Sequence, residues 1–167
     1  MIVAILTDGL FAAVAGIGFG AISYPPRRAF PYIAVLAAIG HALRFYLMTA
    51  WHVDIAIASF CASLTIGIFA LLFGRRIYCP MTVLYIPALL PMIPGMYAYK
   101  SVYGLLMFMQ NLDAAVMSNL YLQTFLTNTL ITVSTLFMLA IGATLPIFII
   151  PKTTYSLTRK HKDKSNS

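Results

Sequence analysis

The sequence predicts an all-α integral membrane protein with five transmembrane helices, the fourth broken at a Pro-Gly pair. Three observations predict it. The chain is 61% hydrophobic and only 9% charged, with a mean hydropathy of +0.89, whereas a soluble domain carries about 25% charged residues. Apolar segments near the crossing length of about 20 residues recur along it. Its lysines and arginines gather in alternate connections, as topology demands of a multi-pass protein. A core this apolar needs lipid as its solvent, so residues 1–151 read as one five-helix transmembrane domain with no room for a second, soluble one. Residues 152–167 read as a basic, disordered cytoplasmic tail or one resting on anionic lipid.

The first span, Ile2–Ser23, has no basic residue before it and an apolar run too long for a cleaved signal. Asp8 near its start and Arg27-Arg28 after it point to a retained helix. Ala12, Gly16 and Gly20 form a small-residue face suited to close helix contact. The GIGFG string there lacks the strand-turn-helix context of a dinucleotide site. The second span, Tyr32–Ala50, carries His41 and Arg44 three residues apart on one face. The third, Ile55–Phe73, shows a face of Ser59, Ser63 and Gly67. The fourth is the long segment Met81–Gln110, and the fifth is Leu122–Ile150. The fifth aligns Thr124, Asn128, Thr132 and Thr135 on one stripe, read either as interhelical hydrogen bonding or as the lining of a polar pathway.

With five spans, Arg27-Arg28, Arg75-Arg76 and the tail lysines and arginine fall on one side, while Asp54 and Asp113 fall on the other. Basic loops stay cytoplasmic. The expected location is therefore the bacterial inner membrane, with the N-terminus outside and the C-terminus inside.

Several functions are argued against. The acids are Asp8, Asp54, Asp113 and Asp163, with no glutamate, which speaks against a carboxylate-rich cation cage or a two-carboxylate hydrolytic site. The net charge of +7 flanks apolar runs instead of forming a phosphate-binding face, so no nucleic-acid partner is expected. Cys61 and Cys79 match no metal or redox spacing and read as free thiols. No catalytic residue, metal or cofactor is expected, and the chain does not read as an enzyme.

The chemistry lies in the ionisable residues at membrane depth and in PALLPMIPGMYAYK, residues 87–100. Charges inside a membrane are expensive and mark function by default. Arg44 is either paired structurally, Asp8 being the available acid, or faces a cavity that receives an anion. His41 is either a core histidine bonded to a neighbour or a proton relay, histidine being the side chain that titrates near neutral pH. Asp8 either sits in the outer headgroup layer or couples to protons. Proline in a helix interior costs about 3 kcal/mol, and Pro87, Pro91 and Pro94-Gly95 fall within nine residues. They predict two half-helices, near Met81–Pro91 and Gly95–Gln110; the alternative is an ordinary kink. Broken backbone survives at this depth only where protein covers it or water reaches it. The second half-helix would aim the amides after Pro94 and Gly95 inward, a place for a carboxylate, with Tyr97, Tyr99 and Lys100 nearby. The candidate substrate-binding set is thus His41, Arg44, Pro94, Gly95, Tyr97, Tyr99, Lys100 and Asn128, with Asp8 and His41 the candidates for proton coupling.

IGHALRFYLMT, SFCASLTIGI, IPALLPMIPGMYAY and TNTLITVSTLFMLAIGATLP together resemble the C-terminal half of the threonine/serine exporter family. The length resembles the short, YjjB-like subunit of its split type. The resemblance implies a secondary transporter driven by the proton gradient, exporting threonine and serine or, in a split pair, succinate. It also implies a larger, five-span YjjP-like partner subunit. It assigns no residue roles. A dicarboxylate wants a second cation, which Arg44 or Lys100 supplies; an amino acid wants an acid for its ammonium, for which Asp8 is the one intramembrane candidate. That balance favours a succinate-like substrate. A passive channel and a structural subunit without substrate contacts are the competing readings.

Overall fold

The computed structural model describes residues 2–113 and 115–149, and every regular element among them is helical. The helices are α1 (Ile2–Ile22), α2 (Phe30–Ala50), α3 (Ile55–Ile77), α4 (Met81–Leu89), α5 (Gly95–Gln110) and α6 (Ala115–Ile149). Short 3-10 turns, Arg27–Ala29 and Leu90–Met92, precede α2 and follow α4. Among the described residues, α1, α3, α6 and the Arg27–Ala50 stretch are each long and apolar enough to cross a membrane. Met81–Met92 and Gly95–Gln110 pass that test only together, and are bent by 53° between them. The tail, residues 152–167, and Pro151 lie outside the described residues.

Local chemistry sets the ends. Pro31 sits in the first turn of α2, where its missing N–H costs nothing. Asp54 caps α3, its carboxylate accepting from the Ala56 amide at 2.9 Å, so this acid has a structural task besides its place in a loop. Tyr78 ends α3 in the left-handed region at φ 53°. The helices outrun their expected limits: α3 continues to Ile77 instead of Phe73, and α6 begins at Ala115 instead of Leu122. The polar residues of α6's first turns, Ser118 and Asn119, read as loop in a hydropathy window yet carry no breaker.

Packing follows small residues, because lipid gives helices little hydrophobic reason to associate. Gly9, Ala12, Gly16 and Gly20 are the buried residues of α1, and the three glycines lie on α2. A Cβ at Gly16 would stand 2.9 Å from that of Ala37. The expected face of α3, Ser59, Ser63 and Gly67, is buried as well, and Ser63 and Gly67 meet α6. A central core joins Ile33 and Leu36 of α2, Ala62 and Ile66 of α3, and Leu84 and Ala88 of α4, with Met92 beneath them.

Contact registers give the helix directions. Gly9 lies by Ala42 and Gly20 by Phe30, so α1 and α2 are antiparallel. Ser101 bonds Thr129 while Gly104 lies by Tyr121 and Phe125, so α5 and α6 are antiparallel. Ser63 reaches Met138 while Gly67 meets Ala143 and Pro146, so α3 and α6 run the same way.

Candidate functional site

The interruption after Met92 creates the site. An unbroken helix would pair the Pro91 and Met92 carbonyls with the amides four residues on. Here the chain leaves the helix at Ile93, extended at ψ 129°, and the Gly95 amide turns back to the Ile93 carbonyl at 2.8 Å. Carbonyls deprived of partners at this depth must find other donors.

Two side chains of α2 supply them. His41 Nε2 lies 3.0 Å from the Pro91 carbonyl oxygen, and Arg44 Nη1 donates to the Met92 carbonyl at 2.5 Å. The other ring nitrogen of His41, Nδ1, lies 2.8 Å from Asp8 Oδ2 of α1. The His41 and Asp8 side chains are 13% and 33% exposed, so the pair is largely withdrawn from its surroundings. Asp8 is also the acid whose field reaches Arg44. Cations at the C-terminal end of a helix meet its negative dipole end, so Arg44 is doubly placed. Counting 1.5 Å per residue, His41 lies roughly 16 Å from the start of α2, about half the thickness of a bilayer core.

This answers the two alternatives for Arg44 in an unexpected way. Asp8 pairs with His41, and Arg44 holds a backbone carbonyl. His41 and Arg44 meet the C-terminal end of the first half-helix, whereas the sequence reading turned on the N-terminal end of the second. There Pro94 is buried and serves as N-cap, Gly95 is exposed with open space around its Cα, and the Tyr97 and Ala98 amides both reach the Pro94 carbonyl at 3.1 Å.

Among the described residues, no hydrogen bond joins the remaining candidates to Asp8, His41 or Arg44. Tyr97 is half-buried and Lys100 is exposed. Tyr99 is exposed and stacks on Tyr103, which meets Tyr121 edge-on. Asn128 donates to Thr124 O of its own helix at 2.6 Å, and Thr132 donates to Asn128 O. Thr124, Asn128 and Thr132 of the α6 stripe therefore bond back to carbonyls of their own helix, as hydroxyls and amides in helices commonly do. The interhelical polar bond on that side joins Ser101 and Thr129 at 2.5 Å, a pair the sequence reading passed over. Two buried hydroxyls, Ser59 and Thr135, have no partner among the described residues. A shallow depression of about 180 Å³, lined by Ser23, Thr82, Val83, Ile86 and Pro87, lies at the far end of α1 from Asp8.

The Pro91 and Met92 carbonyls were the functional groups missed. Their signal was present: a helix stopped by Pro94 orphans the carbonyls just before it, and His41 and Arg44 are the donors the second span offers.

The comparisons fit this architecture. A family model described as "Threonine/Serine exporter, ThrE" matches residues 8–149. A protein of Haemophilus influenzae, described as an uncharacterized protein, is 36% identical over 99 residues, 58% of this chain and 32% of that protein. The chain thus spans about a third of the length of this curated relative. No solved structure matches it. The family match runs from Asp8 through the interrupted helix to the last described residue of α6; this multi-pass chain belongs to the threonine/serine exporter family.

Proposed function

We propose that this chain is a subunit of a secondary transporter that exports a small carboxylate across the bacterial inner membrane, acting beside a larger, YjjP-like subunit. The observation that carries the reading is the meeting of Asp8, His41 and Arg44 on the interrupted helix in an otherwise apolar bundle. Discontinuous helices near the midplane are where secondary transporters hold their cargo. The parallel run of α3 and α6 supports one crossing between them, made by α4 and α5 together; a re-entrant loop would have left α3 and α6 antiparallel. The Arg27-Arg28 and Arg75-Arg76 connections then share one end with the C-terminal end of α6, which the positive-inside rule assigns to the cytoplasm.

Arg44 anchors the substrate carboxylate, exchanging the Met92 carbonyl for it. Asp8, in the same cluster, offers an acid for an ammonium. The structure thereby shifts the balance from a dicarboxylate toward an amino acid such as threonine or serine, because both charges of a zwitterion find partners within one cluster. A succinate-like substrate is the second reading, supported by Lys100 as a cation beyond Pro94.

The test is uptake of labelled threonine and labelled succinate into inside-out membrane vesicles, with this chain alone and with its larger partner. Threonine flux with both subunits is expected. Arg44→Met should lower it about tenfold or more, the equivalent of one charged hydrogen bond, at unchanged membrane abundance. Unchanged flux removes Arg44 from the site. Flux that follows the substrate gradient and ignores an uncoupler makes the protein a channel. Retained flux after replacing both His41 and Arg44 makes it a structural subunit.

A further inference from the structure

We propose that Asp8 and His41 form a proton-binding site whose occupancy holds or releases the interrupted helix at Pro91. The argument is one of donors and acceptors. Both ring nitrogens of His41 face oxygen: Nδ1 faces Asp8 Oδ2 at 2.8 Å and Nε2 faces the Pro91 carbonyl at 3.0 Å. A carbonyl has no proton to give, so the second contact is a hydrogen bond only when Nε2 carries one. The first contact then needs a proton of its own, on Nδ1 or on Asp8. An imidazolium with a carboxylate and a neutral imidazole with a carboxylic acid hold the same number of protons. In either form both contacts are satisfied and the pair carries no net charge.

Removing that proton leaves a neutral imidazole, with one N–H, between two acceptors. One contact then sets lone pair against lone pair. The carboxylate wins the N–H, because a hydrogen bond to an ionised partner is about twice as strong as a neutral one. The Pro91 carbonyl loses its donor, which is costly where neither water nor lipid replaces it. Proton loss therefore loosens α2 from the end of the first half-helix and leaves the pair with a net negative charge.

The surroundings set this up. α1 contributes Asp8 as its one described ionisable side chain, and the Leu90–Met92 turn contributes none. α2 contributes Arg44, which donates to the Met92 carbonyl in this structure. Cys61, Arg75 and Arg76 of α3 and Tyr85 of α4 make no bond to His41. The release of Pro91 stands on this geometry alone; its link to transport rests on the exporter reading, in which the proton-free, negative pair is the form that accepts a substrate ammonium.

The test uses the full chain in bilayers, with Cys61→Ala and Cys79→Ala removing both native thiols. Gly95→Cys places a thiol beside the break, where a side chain has open space. Its labelling rate by a maleimide is compared, at each pH, with that in the same chain carrying Asp8→Asn. An amide there donates to Nδ1, so Nε2 keeps its proton for the Pro91 carbonyl, and the thiol's own chemistry cancels in the ratio. The ratio is expected to stay near one at the acid end of the pH range, where the pair holds its proton, and to rise several-fold at the alkaline end, where the pair has lost it. A flat ratio overturns the site. Asp8→Asn that fails to reach the membrane is replaced by His41→Gln, whose amide bonds both oxygens without titrating and should give the same contrast. Substrate flux that still responds to the pH gradient in Asp8→Asn overturns the coupling. A pH-dependent ratio with no substrate flux in any arrangement upholds the proton site while rejecting the exporter.

Discussion

His41 joins three elements through two ring nitrogens: Asp8 of α1, its own helix α2, and the Pro91 carbonyl. No single-span reading finds such a residue, because its partners lie 33 and 50 positions away. Arg44, one turn along, repeats the task at Met92. These two side chains do for the broken helix what its missing amides would have done. A separate residue-scale prediction concerns Cys79, which is buried between α3 and α4. Burial pushes its thiol up, and the Arg28 charge draws it part of the way back. The thiolate is the reacting form, so in a Cys61→Ala chain labelling should be slow at neutral pH and accelerate as pH rises. Arg28→Gln removes the downward pull and should slow labelling further, by up to about tenfold, the equivalent of one pKa unit. A faster rate would show that Arg28 does not act on this thiol, and would separate the two connections that the charge pattern puts on one side.

Among the elements, the α3–α6 pair is held by the closest approach. A Cβ at Gly142 would overlap the Ser63 hydroxyl and stand 2.7 Å from the Phe60 carbonyl, and one at Gly67 would stand 2.7 Å from the Ala143 carbonyl. Backbone cannot yield as a flexible side chain can. Gly142→Val is therefore expected to part the two helices and cost about 1–3 kcal/mol or more by overpacking, read as a lowered melting temperature in detergent. Gly95→Ala meets open space and should leave the melting temperature nearly unchanged. Equal effects at the two positions would refute the packing account. The α6 stripe teaches the converse: periodic hydroxyls in a sequence mark a helical face, yet Thr124 and Thr132 bond the carbonyl four residues back and need no polar neighbour, while Thr135 is buried without a partner among the described residues.

At the scale of the molecule, the helix directions predict which connections share a side. In a chain lacking both native cysteines, an impermeant thiol reagent applied to intact cells should label His52→Cys and Leu112→Cys. Arg27→Cys and Arg76→Cys should react only after permeabilisation. Leu112→Cys grouping with the arginine positions would make α4 and α5 a re-entrant pair and overturn the single crossing.

Much of this molecule was legible in one dimension. Apolar length located the helices, small residues at four-residue spacing marked the α1 and α3 contact faces, and the Pro94-Gly95 pair marked the break, while Pro87 stays inside α4. Each of these is a local property, written within one turn or one span. Helix ends were less legible, because polar residues without breakers continue a helix that hydropathy takes for loop. The partners of the break were not legible at all. Which carbonyls are orphaned follows from sequence, but which donors reach them depends on how α1 and α2 pack over the Leu90–Met92 turn. The sequence by itself determined a membrane bundle with an interrupted helix and buried charge. Only the tertiary structure decided that Asp8 belongs to His41 and that Arg44 belongs to a backbone carbonyl, because hydrogen bonds are made across space between elements whose relative register no local pattern records.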